Sequence, residues 1–178
     1  GTIGCGYSGF FMTLFGFSLL TEVEVIYQGK IIGKEQDFID DAGIVIEEPE
    51  FINSLSGLEN LKILAEIQKK ISEAEIIEVL KQFDLYEDRN KKVGKYSVGM
   101  KLKLRLAQEV MEKPQVLILD EPMNGLDKKS VKKVEDILKA FVENGGTLLM
   151  TSHIEQQVEA CCKIVYEIDG GEILRVTD

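Results

Sequence analysis

The pattern of apolar and polar residues in the first third of the chain predicts a helix, a hairpin and a strand. Residues 9–20, GFFMTLFGFSLL, form an apolar run that we interpret as a buried helix. Residues 22–32, EVEVIYQGKII, alternate around a Gln-Gly turn, which is typical of a β-hairpin. Residues 42–46, AGIVI, are a short apolar run closed by two glutamates and a proline, and they predict a buried strand.

The middle of the chain changes to a helical spacing. From Gly57 to about Lys92 the apolar residues recur every three or four positions, with charges of both signs between them. The segment 96–114, YSVGMKLKLRLAQEVMEKP, predicts a short loop followed by a helix that Pro114 stops. We therefore expect a helical subdomain at about residues 50–110.

The last third of the chain alternates apolar strands with helices. Residues 115–122, QVLILDEP, predict a strand buried on both faces of a parallel sheet, because the apolar run is continuous. After it we expect a helix that has Val131, Val134, Leu138 and Phe141 on one side and ends at Gly145-Gly146. A second buried strand, a short helix and a hairpin turned at Asp169-Gly170-Gly171 follow, at residues 147–153, 154–162 and 163–176. This alternation implies an α/β fold, in one domain over residues 1–178.

Composition and charge narrow the classes of function. The 178 residues carry a formal net charge of −10, which argues against a general nucleic-acid-binding surface but not against a nucleotide site. The three cysteines are an odd number and two are adjacent, so they indicate no disulfide framework and suit a reducing cytosol. No apolar run approaches the roughly 20 residues that span a bilayer.

Three polar side chains follow the two predicted buried strands of the last third. Asp120 and Glu121 come directly after VLIL, and His153, the single histidine, follows TLLMTS. Ligands bind at the carboxyl ends of the strands in open α/β sheets. Asp120 is therefore suited to orient Mg²⁺, directly or through a water, and Glu121 to accept a proton from an attacking water. Either motif alone is weak, because a lone carboxylate pair or histidine is more often structural, so the prediction rests on their combination.

The segment YSVGMK has two readings. Ser97 and Gly99 stand at the start of a predicted helix, where a hydroxyl and backbone amides can bind an anion. A plain N-cap at Ser97 explains the same residues and is the simpler interpretation on local grounds.

The opening segment GTIGCGYS raises a question about phosphate binding. Gly1, Gly6 and Ser8 match the phosphate-binding loop G-x-x-x-x-G-K-[S/T], but Tyr7 stands where that loop has its lysine. A charge-assisted hydrogen bond of the kind a lysine makes is worth roughly 1.5–3 kcal/mol. We therefore expect its loss to weaken ATP binding about ten- to a hundredfold, and hydrolysis by more.

In this order, the motifs resemble those of the nucleotide-binding domain of ATP-binding cassette (ABC) transporters. GTIGCGYS stands at the Walker A loop, GIVIEEPEFINSLSGLENL at the Q-loop region, YSVGM at the signature, VLILDEP at Walker B, NGLD at the D-loop and TSH at the switch histidine. The resemblance covers nearly the whole chain, and residues 97–127 are its specific part. It implies a P-loop NTPase core sheet with an inserted helical subdomain, which binds ATP and Mg²⁺ and hydrolyses the ATP.

The resemblance also implies roles for residues within one subunit. Glu121 would be the general base, and His153 would contact the γ-phosphate. Glu47 would sense the metal and the membrane partner. The metal side would consist of Ser8, Glu47 and Asp120. The phosphate loop would supply the nucleotide-binding positions Gly1, Gly4, Cys5, Gly6, Tyr7, Ser8 and Gly9.

A head-to-tail dimer and a membrane permease are the partners that the resemblance implies, with no nucleic acid. Ser97 and Gly99 would bind the γ-phosphate of the ATP held by the second subunit, and Asp127 would link the two sites. The cassette would lie on the cytoplasmic face of the cell membrane. Two details, Glu47 in place of the usual glutamine and the signature Y-S-x-G-M-K, are similar to the bacitracin-resistance and lantibiotic-immunity exporters.

One departure from the family, at Tyr7, keeps a second hypothesis open. Tyr7 favours a degenerate cassette that binds nucleotide weakly and acts as a regulatory partner, whereas Glu121 and His153 favour a working ATPase.

The family also has strands before the phosphate loop, so we expect the natural chain to extend upstream of Gly1. A cassette of translation or DNA repair fits less well, because the sequence shows no second cassette, long coiled coil or basic surface.

Overall fold

The structure is a computed structural model, and it describes residues 24–39, 41–45, 51–169 and 172–176. The strands are β1 Ile26–Tyr27, β2 Lys30–Ile31, β3 Ala42–Val45, β4 Val116–Leu119, β5 Thr147–Met150, β6 Tyr166–Asp169 and β7 Glu172–Arg175. The helices are α1 Gly57–Gln68, α2 Glu73–Gln82, α3 Val98–Met111, α4 Lys128–Glu143 and α5 Glu155–Cys161. The phosphate-loop segment, the apolar run at 9–20 and Glu47 therefore lie outside the described residues.

A parallel sheet of three strands, in the order β3-β4-β5, is the centre of the described fold. All four residues of β4 are buried, as its continuous apolar sequence predicts. The prediction of burial was wrong for β5, where Thr147 is exposed and the other residues are half-buried. Within the described part of the chain β5 pairs only with β4, so one of its edges has no strand beside it.

The second helix between β3 and β4 ends about ten residues earlier than the sequence pattern predicts. Helix α2 ends at Gln82, and the residues up to 92 form turns rather than helix. Asp84 has a φ of +54°, a left-handed conformation that ends a helix. The buried side chains of Phe83 and Leu85 anchor this turn in the core.

Both α1 and α2 begin with a capping box. In each, a serine hydroxyl accepts the amide of a glutamate three residues on, and that glutamate's carboxylate accepts the serine amide. The two helices contact each other, and α2 packs on α3, which in turn packs on β3. One hydrophobic cluster includes Leu61 and Leu80 of α1 and α2 as well as Leu117 and Leu119 of β4, so the helices and the sheet share a core.

Two hairpins confirm their sequence predictions. Strands β1 and β2 are antiparallel around Gln28 and Gly29, whose φ values of 49° and 80° are those of a tight hairpin turn. Strands β6 and β7 are also antiparallel, although the two glycines predicted for their turn lie outside the described residues. Parallel strands connected through helices confirm the α/β class. No helix within the described ranges is long and apolar enough to cross a membrane.

Candidate functional site

The register of the parallel sheet determines which side chains meet at its carboxyl end. Leu119 of β4 is paired with Met150 of β5, so Asp120 and Thr151, the next residue of each strand, lie side by side. The Thr151 amide donates to the Leu119 carbonyl at 3.0 Å, and the Asp120 amide donates to the Val45 carbonyl at 2.7 Å. The backbone ladder thus continues one residue beyond each strand and holds both positions.

Thr151 hydrogen-bonds to both acidic residues that follow β4. Its hydroxyl donates to Asp120 Oδ1 at 2.5 Å. The same oxygen accepts the backbone amide of Glu121 at 3.1 Å. Thr151 was not singled out from the sequence. A parallel pairing of VLILD with TLLMT, which places the threonine opposite the aspartate, is the signal that could have identified it.

Glu121 has an unusual backbone conformation. Its φ is +47°, in the left-handed region that non-glycine residues seldom occupy. Conformations of this kind cost about 1–3 kcal/mol and persist only where surrounding contacts hold them. Here the Glu121 amide donates to Thr151 Oγ1, and the Glu121 carbonyl accepts the Asn124 amide at 3.1 Å.

Glu121 and His153, the two residues predicted to carry catalysis, are in contact. His153 Nδ1 lies 3.0 Å from Glu121 Oε2. The Glu121 side chain is 31% exposed and the His153 side chain 55% exposed, so the pair is open to solvent and to a ligand. An ionised carboxylate only accepts hydrogen bonds, so Nδ1 carries the proton in this contact and Nε2 is left for another partner.

A small polar network holds the loop that carries His153. The Ser152 hydroxyl donates to Gln157 Oε1 at 2.8 Å and accepts the Ile154 amide at 3.1 Å. Gln157 is one of the few buried polar side chains in the described part of the chain. Neither Ser152 nor Gln157 was singled out from the sequence, because a lone serine or glutamine gives no signal without its partner.

Ser97 acts as an N-cap, one of the two interpretations left open by the sequence. Its Oγ accepts the Met100 amide at 3.2 Å at the start of α3, and its side chain is exposed. Gly99, in the first turn, lies beside the loop that precedes α4: a Cβ built on it would be 3.8 Å from Leu126 Cδ2. The first turn of α3 and the segment that follows Glu121 are therefore neighbours.

Asp127 caps the next helix of its own chain. Its Oδ1 accepts the amides of Lys129 and Ser130, both at 3.0 Å, and its Oδ2 accepts the Ser130 hydroxyl at 2.9 Å. The hydrogen bond from the Ser130 amide, with that from the Ser130 hydroxyl, holds the pKa of Asp127 below its ordinary value. The link across a dimer that the resemblance implies for Asp127 stays a prediction beside this local role.

The described donor atoms fit a magnesium ion that arrives with a nucleotide. Within the described residues no three His, Cys, Asp or Glu side chains are grouped closely enough to hold a metal by themselves. Mg²⁺ commonly keeps several waters and takes only one or two carboxylates together with phosphate oxygens. Asp120 is one such carboxylate, whereas the other predicted metal ligands, Ser8 and Glu47, lie outside the described residues.

A groove at the opposite end of the sheet contains none of the predicted site residues. It has a volume of about 540 Å³ and lies at the amino ends of β3 and β4, where Ala42, Gly43 and Pro114 line it. Glu109 borders it and accepts the Ile44 amide at 2.8 Å, and burial raises the pKa of this carboxylate. The groove is therefore separate from the carboxyl-end cluster, which remains the candidate site.

Comparison with known proteins agrees with the resemblance drawn from the motifs. The family model for the ABC transporter matches residues 1–124. The chain is 34% identical over 173 residues to the uncharacterized ABC transporter ATP-binding protein YybJ of Bacillus subtilis, covering 97% of this chain and 79% of that protein. It is 30% identical to the lantibiotic transport ATP-binding protein SrtF of Streptococcus pyogenes, covering 98% and 75%. It is 35% identical to the bacitracin transport ATP-binding protein BcrA of Enterococcus faecalis. That alignment covers 74% of this chain and only 43% of BcrA.

A solved structure shows the same fold. The chain superposes with a TM-score of 0.83 on the ATP-binding subunit of an ABC transporter, over 99% of this chain and 76% of that one. The sequence identity is 21%, so the match bears on the fold alone. It confirms the predicted P-loop NTPase class of α/β fold.

The capping role of Asp127 yields a prediction. Asp127→Ala should lower the urea midpoint of unfolding, because two amides lose their acceptor, whereas Asp127→Asn should stay close to the wild type, because asparagine caps helices as well as aspartate. Since the pKa of Asp127 is lowered in the fold, its charge stabilises the fold at neutral pH, and that part is lost as the pH falls below the ordinary pKa of an aspartate and through the lower folded pKa.

The control for the Asp127 variants is Asp136→Ala, which removes an exposed carboxylate on the same helix whose partner is Lys132. Equal loss of stability in Asp127→Ala and Asp136→Ala would contradict a specific cap.

Proposed function

Because this chain belongs to the ABC transporter family, we propose that it is an ATP-binding subunit that couples ATP binding and hydrolysis to export through a membrane permease. In this proposal ATP and Mg²⁺ bind at the carboxyl ends of β4 and β5. The described residues there would act on the γ-phosphate end of the nucleotide, and the phosphate loop, which lies outside them, would hold the rest of the phosphate chain.

The contact between Glu121 and His153 is the observation that supports hydrolysis most directly. Glu121 offers Oε1 to accept a proton from an attacking water, while Oε2 is held by His153. His153 in turn directs Nε2 away from this contact, and in the doubly protonated imidazolium form, in which both ring nitrogens are donors, Nε2 would donate to a phosphate oxygen. A bound Mg²⁺ would supply positive charge to the phosphates, and Asp120 would orient it.

The second subunit in the proposal meets this chain at the first turn of α3. Ser97 is exposed there, and Gly99 lies next to the loop that leads to Asp127. The amides of this turn sit at the positive end of a helix of 14 residues, which suits a phosphate held by the partner. Ser97, Gly99 and Asp127 are accordingly proposed as the residues that face the ATP of the second subunit.

The relatives support a proposal for the transported compound, and the family supports one for the place in the cell. The names of BcrA and SrtF assign them to bacitracin and lantibiotic transport. We propose a peptide or drug of this type as the exported substrate and the cytoplasmic face of the cell membrane as the location. The direction of transport and the permease itself are part of this proposal.

Tyr7 supports a second candidate function. A tyrosine in place of the phosphate-loop lysine removes the cation that spans the β- and γ-phosphates. A cassette without this charge would bind nucleotide weakly and act as a regulatory partner rather than as a motor. The two candidates make different predictions for the variant Tyr7→Lys.

The hydrolysis proposal predicts that Glu121→Gln abolishes turnover while ATP binding persists. Loss of a positioned general base lowers a rate typically by 10²–10⁴-fold. Phosphate release and nucleotide affinity should be measured on the same preparation. Glu143→Gln, an exposed glutamate at the end of α4, is the matched control and should hydrolyse ATP at the wild-type rate. Equal rates in Glu121→Gln and the wild type would exclude Glu121 as the base.

The variant Tyr7→Lys separates the two candidate functions. Under the degenerate-cassette alternative it should tighten Mg-ATP binding about ten- to a hundredfold, measured by calorimetry, because it restores a charge-assisted hydrogen bond. Under the motor proposal the natural protein already binds ATP at micromolar levels, and the lysine adds little. No binding by the natural protein, restored in Tyr7→Lys, would therefore reject the motor.

A further inference from the structure

We propose that Thr151 is a positioning residue of the acidic pair: its hydroxyl orients the Asp120 carboxylate and helps to maintain the Glu121 backbone conformation. The catalytic consequence rests on the function proposed above, whereas the structural part does not. The motif comparison drew attention to the histidine of TSH and left the threonine without a role.

The Thr151 hydroxyl oxygen both donates and accepts a hydrogen bond. A hydroxyl has one proton to donate and two lone pairs that accept. Thr151 Oγ1 gives its proton to Asp120 Oδ1 at 2.5 Å and accepts the Glu121 amide at 3.1 Å. Both acidic residues are thereby tied to the end of β5 by the same atom.

The Glu121 amide is the group that donates to this hydroxyl oxygen. At a φ of +47° this residue occupies a conformation that its side chain disfavours. The amide of Glu121 has no place in the β4 ladder, and the threonine hydroxyl is the acceptor that the described structure provides for it. Removal of that acceptor leaves the Asn124 amide as the remaining backbone contact described for Glu121, and we expect the residue to relax toward negative φ. The carboxylate would then leave its position 3.0 Å from His153 Nδ1.

The Asp120 carboxylate accepts the proton of this hydroxyl. A hydrogen bond to a carboxylate is charge-assisted, and the length of 2.5 Å is at the short end for this kind of bond. It restricts rotation of the carboxylate group and so determines which oxygen is presented to a metal. Threonine suits this task because its β-branched side chain has few χ1 rotamers, which keeps the hydroxyl in place.

The test compares variants that keep or remove the hydroxyl. Thr151→Val replaces it with a methyl group of similar size, Thr151→Ala removes it without adding a group, and Thr151→Ser keeps it. Thr147→Val makes the same chemical change at the exposed start of the same strand and is the control. Unfolding by urea identifies any variant that does not fold.

The first readout needs no nucleotide. His153 is the single histidine of the chain, so its imidazole Cε1–H proton gives one unambiguous NMR signal that reports the contact with Glu121. We expect this signal to move in Thr151→Val and Thr151→Ala, and to stay at the wild-type position in Thr151→Ser and Thr147→Val. An unchanged signal in both hydroxyl-free variants would overturn the proposal.

The second readout is ATP hydrolysis. Loss of the hydroxyl should lower kcat about ten- to a hundredfold, raise the Mg²⁺ concentration for half-maximal activity, and leave the KM for ATP within about threefold. Thr151→Ser should retain activity within about threefold. If serine loses as much as valine, packing of the threonine methyl group is responsible and the proposal is wrong.

The two readouts separate this inference from the proposed function. A wild-type protein that does not hydrolyse ATP, but whose His153 signal responds to the variants as expected, contradicts the ATPase proposal and supports the positioning role. Normal hydrolysis in the wild type with an unresponsive signal and unchanged kcat in Thr151→Val contradicts the positioning role and leaves the ATPase proposal standing.

Discussion

The parallel pairing of β4 with β5 is the constraint on which the rest of the site depends. Leu119 and Met150 are register partners, and the next residue of each strand therefore projects into the same space. A shift of one residue would turn the side chains to the opposite faces of the sheet and separate Thr151 from Asp120. All four β4 residues are buried and the flanking residues Gln115 and Asp120 are polar, so a slip along the strand would carry a polar side chain into the buried span, which disfavours other registers.

The shared hydrophobic core connects this site to the helical segment. Leu104 of α3 belongs to the same cluster as Leu119 of β4, so the helix that begins at Ser97 is anchored to the strand that ends at Asp120. Gly99 also lies beside Leu126, in the loop that follows Glu121. Helix α3 and the strand that carries the acidic pair are therefore held by one hydrophobic core.

The sequence was sufficient where one segment carried its own signal. VLILDE predicted a buried strand ending in carboxylates, and the histidine after TLLMTS was predicted at the same end of the sheet as Asp120, whereas its contact with Glu121 is seen only in the structure. It was insufficient where partners decide the outcome. The exposure of β5 depends on which strands flank it, the left-handed φ of Glu121 occurs where its backbone contacts Thr151 and Asn124, and α2 ends where Phe83 is buried. The phosphate loop with Tyr7 remains a sequence prediction.

The most direct test of the account is a crystal structure of the protein with Mg²⁺ and a non-hydrolysable ATP analogue. The account predicts a γ-phosphate within hydrogen-bonding distance of His153, with Glu121 still bonded to the imidazole. It also predicts a metal either about 2.0–2.1 Å from the Asp120 carboxylate or linked to it by one water. A nucleotide bound away from the carboxyl ends of β4 and β5 would contradict it.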